Sequence, residues 1–197
     1  GDARLAQQVR EKDDAINQME LDIDQDCLRI LARRQPAASD LRLVVSISKI
    51  IVDLERIGDE SSKIAKRALD LVEEGQAPRG YVECRHIGHH VRRMVQEALD
   101  AFARMDTEQA FAVAREDKAV DQEYKTAMRE MVTFMMEDPR SIGRVLNILW
   151  VLRSLERVGD HARNIAEHVI YLVKGTDVRH IGLKRMEAEV KKDGADE

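Results

Sequence analysis

Apolar residues recur at helical spacing along almost the whole chain. Leu5, Val9, Ile16, Met19, Ile23, Cys27, Ile30 and Leu31 form one stripe, which predicts a helix over 3–34 ended by Pro36. A second stripe runs through Leu43, Ile47, Ile50, Ile51, Leu54, Ile57, Ile64, Ala68 and Leu71. It predicts a helix capped by Ser39 or Asp40 and stopped by Gly75. Residues 75–80, with Pro78 among them, read as a linker. Three further helices are expected, over 81–105, from the cap pair Asp106-Thr107 to about 136, and over 141–174 with Gly175 as its stop. Asp138-Pro139 makes a turn like that at Pro36. Residues 177–197 carry charge but no apolar stripe, and a fraying tail is expected there.

The pattern repeats. Leu54-Glu55-Arg56-Ile57-Gly58-Asp59 returns 101 positions later as Leu155-Glu156-Arg157-Val158-Gly159-Asp160. At the same offset Val44, Ile47, Ile64, Ala65 and Leu71 fall on Val145, Ile148, Ile165, Ala166 and Leu172. Upstream the offset is 104, where Asp2, Ala6, Val9, Asp13 and Ile16 fall on Asp106, Ala110, Val113, Asp117 and Val120. A unit of roughly a hundred residues is therefore duplicated in tandem. The expected fold is all-α, two tandem antiparallel helical bundles built on a three-helix repeat. The first unit (1–76) would hold two long helices and lack the counterpart of 81–105. The second (80–176) would be a three-helix bundle. Such a gap should expose an apolar face of the first unit, unless a partner chain covers it.

Composition narrows the function classes. Aromatics are only 4% of the 197 residues, so the core must be aliphatic; charged residues are 35%, which suits long helices with solvated faces. Net charge is −5 and there is no sustained basic run, which argues against a nucleic-acid partner. No apolar run is long enough to span a bilayer and no signal peptide is visible. Cys27 and Cys84 lack metal-motif spacing and read as reduced thiols. Together these point to a soluble cytoplasmic protein.

Glu55 and Asp59 are four apart, as are Glu156 and Asp160, so each pair shares a helix face and repels itself by a few tenths of a kcal/mol. On a helical wheel each pair sits on the shoulder of the apolar stripe, while Arg56, Lys63 and Arg67 fall on the far side. Folding the chain back at Pro36 places position 57 opposite 15, where Asp13 and Asn17 are again four apart. The same arithmetic about Pro139 places 158 opposite 119, between Asp117 and Asp121. Each hairpin thus brings four oxygen-bearing side chains to one level, a donor set suited to Mg²⁺, Mn²⁺, Ca²⁺ or iron. Arg56, Lys66, Arg157 and Arg163 are the cations placed to neutralise these carboxylates instead. Gly58 and Gly159 each cost about 1 kcal/mol relative to alanine, for close packing or for room at a ligand.

Other chemistry is thin. Glu83-x-x-His86 with His90 has one half of a di-iron spacing, but no second copy, so solvated histidines are expected. His161 and His168 also fall on an outer face. No nucleophile stands beside a base and no glycine-rich phosphate loop occurs, so no catalytic residue is nominated.

Glu55-Arg-Ile-Gly-Asp59-Glu-Ser-Ser-Lys-Ile-Ala65 and Glu156-Arg-Val-Gly-Asp160-His-Ala-Arg-Asn-Ile-Ala166 resemble the twin signatures of the PhoU family. Arg33-Arg34-Gln35-Pro36 with Asp40-Leu41-Arg42, and Gly175-Thr-Asp-Val-Arg-His180, resemble it as well. The resemblance implies two three-helix bundles, usually dimeric, with metal ions or clusters held by Glu/Asp-x-x-x-Asp motifs. The implied ligands are Glu55, Asp59, Asp13 and Asn17 in one unit and Glu156, Asp160, Asp117 and Asp121 in the other. Iron, zinc, manganese and magnesium all remain open. Asn17 replaces a second carboxylate, which weakens the first site, and the chain starts after the family's first helix. The resemblance also implies a non-enzymatic negative regulator of the phosphate-starvation response. Such a homodimer would link a phosphate transporter's ATPase subunit to a PAS-containing sensor histidine kinase. A di-iron-like metal-dependent enzyme and a metal-free scaffold are the alternatives.

Overall fold

A computed structural model describes residues 2–75 and 80–192. Residues 76–79, including Pro78 of the expected linker, and 193–197 of the expected tail lie outside the described residues. The described chain folds as α1 (Ala3–Arg34), α2 (Ala38–Glu73), α3 (Tyr81–Arg104), α4 (Thr107–Glu137), a 3₁₀ turn (Pro139–Ser141), α5 (Ile142–Lys174) and α6 (Leu183–Lys191).

Local signals set most of the ends. Asp2 accepts a hydrogen bond from the Leu5 amide, and Asp106, its repeat equivalent, accepts one from the Gln109 amide. Gly175 closes α5 in the left-handed region at φ 73°. The expected cap of α2 is corrected. Ala37 is its N-cap, without a side-chain bond, because the extended Pro36-Ala37 segment starts the helix earlier. Ser39 and Asp40 therefore lie in the first turn, where Asp40 complements the helix dipole.

The expected tail is also corrected. Val178, Met186 and Val190 are buried, so α6 packs on the second bundle instead of fraying. Three apolar contacts in a charged segment are enough to dock one short helix, yet too few to show as a stripe.

Hairpin folding at Pro36 and Pro139 holds to within a residue. Gly58 lies against Ile16, and Gly159 lies against Val120 of α4 and Val91 of α3. Close packing accounts for Gly58, where an added Cβ would stand 3.2 Å from Ile16, whereas Gly159 leaves room for one. In the second unit α3 closes the groove between α4 and α5. In the first, the corresponding groove between α1 and α2 stays open, with a volume of about 440 Å³, lined by Val9, Ile16, Ile23, Ile51, Leu54 and Ile57.

A glycine of a different kind opens α3. Gly80 has φ +100°, and an added Cβ would stand 2.4 Å from Ile148 Cγ2. Gly80→Ala should lower the melting temperature strongly, through strain and clash together. Gly159→Ala should instead raise stability by up to ~1 kcal/mol, since its Cβ meets ordinary contacts at 3.4–3.5 Å. Thermal melts of the two variants separate the roles.

The two units pack through α2 and α5, which run antiparallel, and Ile50 and Leu71 of α2 join the core of α3, α4 and α5. The contact takes up a polar face of α2 between the apolar stripe and the exposed Arg56 and Lys63. Along it Ser46, Asp53 and Glu60 are buried, and across from them so are Asn147, Ser154 and His168. These positions recur every seventh residue in both helices. Asp53 Oδ1 is 2.8 Å from His161 Nδ1 and accepts from Asn164 at 3.0 Å; its other oxygen is 3.8 Å from His168. Glu60, only 2% exposed, meets Lys63 and Arg157, each at 2.9 Å, and accepts from Ser154. Arg67 donates to Asn147 at 3.4 Å, and the same register sets Ser46 at the level of His168. The duplication offset of 101 relates Asp53–His161 to Glu60–Ser154 by an internal two-fold. A polar heptad seam thus joins the halves, and it overturns the surface placement expected for His161 and His168. Burial holds the His168 imidazole below its ordinary range, against the pull of Asp53.

Candidate metal centre

In the second unit α5 supplies Glu156 and Asp160 from adjacent turns, and α4 supplies Asp121 across the hairpin. One carboxylate oxygen from each lies within 4.8 Å of the others. Glu156 is buried; its Oε1 meets Arg153 at 2.7 Å, while its Oε2 is shielded from solvent and has no hydrogen-bond partner. An orphaned carboxylate oxygen in such a place is costly unless a cation reaches it. Burial, then Asp160, Asp121 and Asp117, push the Glu156 carboxyl above its usual range. Asp160 is raised for the same reasons, with burial foremost and Asp117 and Asp121 next.

Asp117, the fourth expected ligand, takes a different partner. Its Oδ2 accepts from Arg163 at 3.0 Å, and Arg163 also holds Glu167 at 2.9 Å. Of the other expected neutralising cations, Arg157 reaches across to Glu60, and the cation on Glu156 is Arg153, which spacing had not singled out.

The first unit is arranged differently. Arg56 stands 3.4 Å from Glu55 and 3.5 Å from Asp59, so both motif carboxylates share one cation. Opposite them Asp13 Oδ1 and Asn17 Oδ1 are buried without hydrogen-bond partners. Asp13 and Glu55 both line the open groove. Donor atoms are present at both levels, and only the second level draws three carboxylates together among the described residues. An all-oxygen set of that kind fits a hard cation.

His90 is not solvated as expected. It is half-buried between Glu123 and Glu116 of α4, while His86 is exposed. Glu83 and His86 sit on the flank of α3 and α4 beside Glu123 and Glu130, and neither joins the group of Asp121, Glu156 and Asp160. Both cysteines are free; burial pushes the Cys84 thiol up to about 12, which makes it inert. Among the described residues no helix is long and apolar enough to cross a membrane.

The family model for the PhoU domain matches residues 1–68 and 84–169, one stretch for each copy of the repeat. The chain belongs to the PhoU family. It is 74% identical over 189 residues to the phosphate-specific transport system accessory protein PhoU homolog of Pseudomonas aeruginosa, covering 96% of this chain and 78% of that protein. To the PhoU accessory protein of Escherichia coli it is 50% identical over 181 residues, covering 92% and 75%. The crystal structure of PhoU from P. aeruginosa superposes with a TM-score of 0.88 at 73% identity, over 89% of this chain and 84% of that one. The phosphate transport regulatory protein PhoU of Streptococcus pneumoniae gives 0.82 at 35% identity, over 90% and 83%. The all-helical architecture expected of the PhoU resemblance is the one observed.

Proposed function

We propose that this chain is an accessory regulator of a phosphate-specific transport system, acting in the cytoplasm without a catalytic step. As a homodimer it docks on the transporter's ATPase subunit and on a PAS-containing sensor kinase, which it holds inactive when phosphate is plentiful. Family membership at 74% identity to a named accessory protein carries this reading.

The second-unit carboxylates give the regulator a cation site. Asp121, Glu156 and Asp160, with Asp117 beside them, would hold a divalent or trivalent ion such as Mg²⁺, Mn²⁺ or iron. The ion would supply the positive charge that the cluster lacks and tie α4 to α5. Glu55, Asp59, Asp13 and Asn17 form a weaker site, and Arg56 favours a metal-free reading of it.

Co-purification tests the adaptor role. The wild-type chain should retain both the transporter ATPase subunit and the sensor kinase, and Asp160→Asn should weaken at least one of them several-fold. Failure to retain either protein, with and without added Mn²⁺, would overturn it.

A further inference from the structure

Beside the carboxylate cluster, α5 borders a polar cleft of about 570 Å³. Arg157, Arg163, Asn164 and Glu167 of α5 line it, together with Arg179 and His180 from the segment between α5 and α6. Three guanidinium groups share this space with two carboxylates, those of Asp160 and Glu167. In a chain of net charge −5 that makes a locally positive lining.

The arginines are held in place. Arg157 meets Glu60 through Nη1, Arg163 gives Nε to Glu167 and Nη1 to Asp117, and Arg179 gives Nε and Nη2 to Asp177. A guanidinium has five N–H groups, so each keeps donors beyond these contacts. Glu60, Asp117 and Asp177, which orient them, do not line the cleft. The segment carrying Arg179 is anchored as well, since Val178 is buried and its carbonyl accepts from the Ile181 amide. Within that turn His180 has φ +66°, a left-handed conformation uncommon for a residue with a side chain and frequent where ligands are clamped. Acceptors line the same space. Glu167 takes Arg163 on Oε1, which leaves Oε2, and Asn164 gives its Nδ2 to Asp53, which leaves Oδ1.

We propose that this cleft binds inorganic phosphate as the monohydrogen dianion. Guanidinium forks match phosphate oxygens in charge and geometry. The dianion also carries one O–H, which Glu167 Oε2 or Asn164 Oδ1 accepts. Sulfate has the same shape and charge but no proton to give, and a phosphate monoester is likewise fully ionised near pH 8. Against either of those the carboxylate of Glu167 stands unpaired beside an anionic oxygen, so it turns a general anion cleft into a selective one. The value of the site as a phosphate signal rests on the regulatory reading above. The binding itself does not, and it is measured on the chain alone.

The test is calorimetric titration of the full, chelator-treated chain near pH 8 with inorganic phosphate, sulfate and glycerol 3-phosphate in turn. Phosphate should bind with a dissociation constant below about 1 mM, and roughly tenfold or more tighter than the other two anions. Arg179→Gln, a change at a half-exposed side chain, should weaken phosphate by about tenfold, the loss of one charge-assisted contact. Glu167→Gln keeps an acceptor for Arg163 and should erase the preference for phosphate over sulfate. Far-UV circular dichroism of each variant establishes that it is folded. Equal affinity of the wild-type chain for phosphate and sulfate would overturn the proposal, as would phosphate binding unchanged by Arg179→Gln. Absence of any heat of binding at about 10 mM phosphate would do the same, and would leave the co-purification result for the transporter and kinase untouched.

Discussion

Glu60→Ala is expected to destabilise the protein by about 1–3 kcal/mol, the usual cost of leaving a buried hydrogen-bonding group without its partner. Burial alone would raise the Glu60 carboxyl. Hydrogen bonds from Lys63 and Ser154, with the charges of Lys63 and Arg157, outweigh it and hold the group below its usual range. Truncation leaves the Ser154 hydroxyl without that acceptor in the middle of the α2–α5 seam, while the Arg157 head, 43% exposed, turns to water. Lys63, half in solvent, loses little. Urea unfolding at pH 7 measures the loss. A cost under 1 kcal/mol would mean that water enters the seam and that the layer is not desolvated.

The complementary substitution separates stability from specificity. Glu60→Leu with Ser154→Ala and Arg157→Leu removes the whole polar layer and leaves no orphaned charge. Such replacements are often neutral or stabilising. The polar layers at Asp53–His161 and Arg67–Asn147 would then carry the register between the two helices. A slip by one turn would pair charged groups with aliphatic ones, so the seam fixes how the two halves of the repeat dock.

That seam shows where sequence reasoning reached and where it stopped. Helix positions, both hairpins and the opposition of Gly58 to Ile16 followed from apolar spacing and two prolines, because local periodicity encodes them. The convergence of Asp121, Glu156 and Asp160 was legible for the same reason, as arithmetic on a hairpin. Which carboxylate a cation takes was not. Arg163 prefers Asp117, and Arg153 prefers Glu156, through rotamers that spacing does not determine. The burial of Asp53, His161 and His168 was hidden because a polar helix face reads the same whether it meets water or another polar face. A signal existed all the same. Polar residues at 46, 53, 60 and 67, and at 147, 154, 161 and 168, keep a seven-residue period in both copies. A period that survives duplication on the polar side marks a contact as surely as one on the apolar side.

Neutralising the carboxylate cluster is expected to have opposite effects with and without metal. Glu156 and Asp160 both have raised pKa values in the fold, first through burial, then through Asp160 and Asp121 for Glu156 and through Asp117 and Asp121 for Asp160. A carboxyl raised in this way contributes stability that is fully present below its unfolded value, near 4, and is lost as pH rises through the folded value. At pH 7 the metal-free protein therefore bears the cost of both charges. Glu156→Gln with Asp160→Asn should raise its melting temperature by a few degrees and flatten its dependence on pH between 4 and 7. Loss of the Arg153–Glu156 ion pair subtracts about 1 kcal/mol at most, since Arg153 is half-exposed. Metal reverses the order. Mn²⁺ at a hundred times its dissociation constant stabilises a single site by about 2.7 kcal/mol. For a chain of this size that is roughly 5–10 °C, and the double variant should gain almost none of it. Differential scanning fluorimetry of both proteins, with chelator and with Mn²⁺, measures all four numbers. If the double variant melts below wild type in chelator and both shift equally with Mn²⁺, the cluster is a solvated surface feature and the cation binds elsewhere.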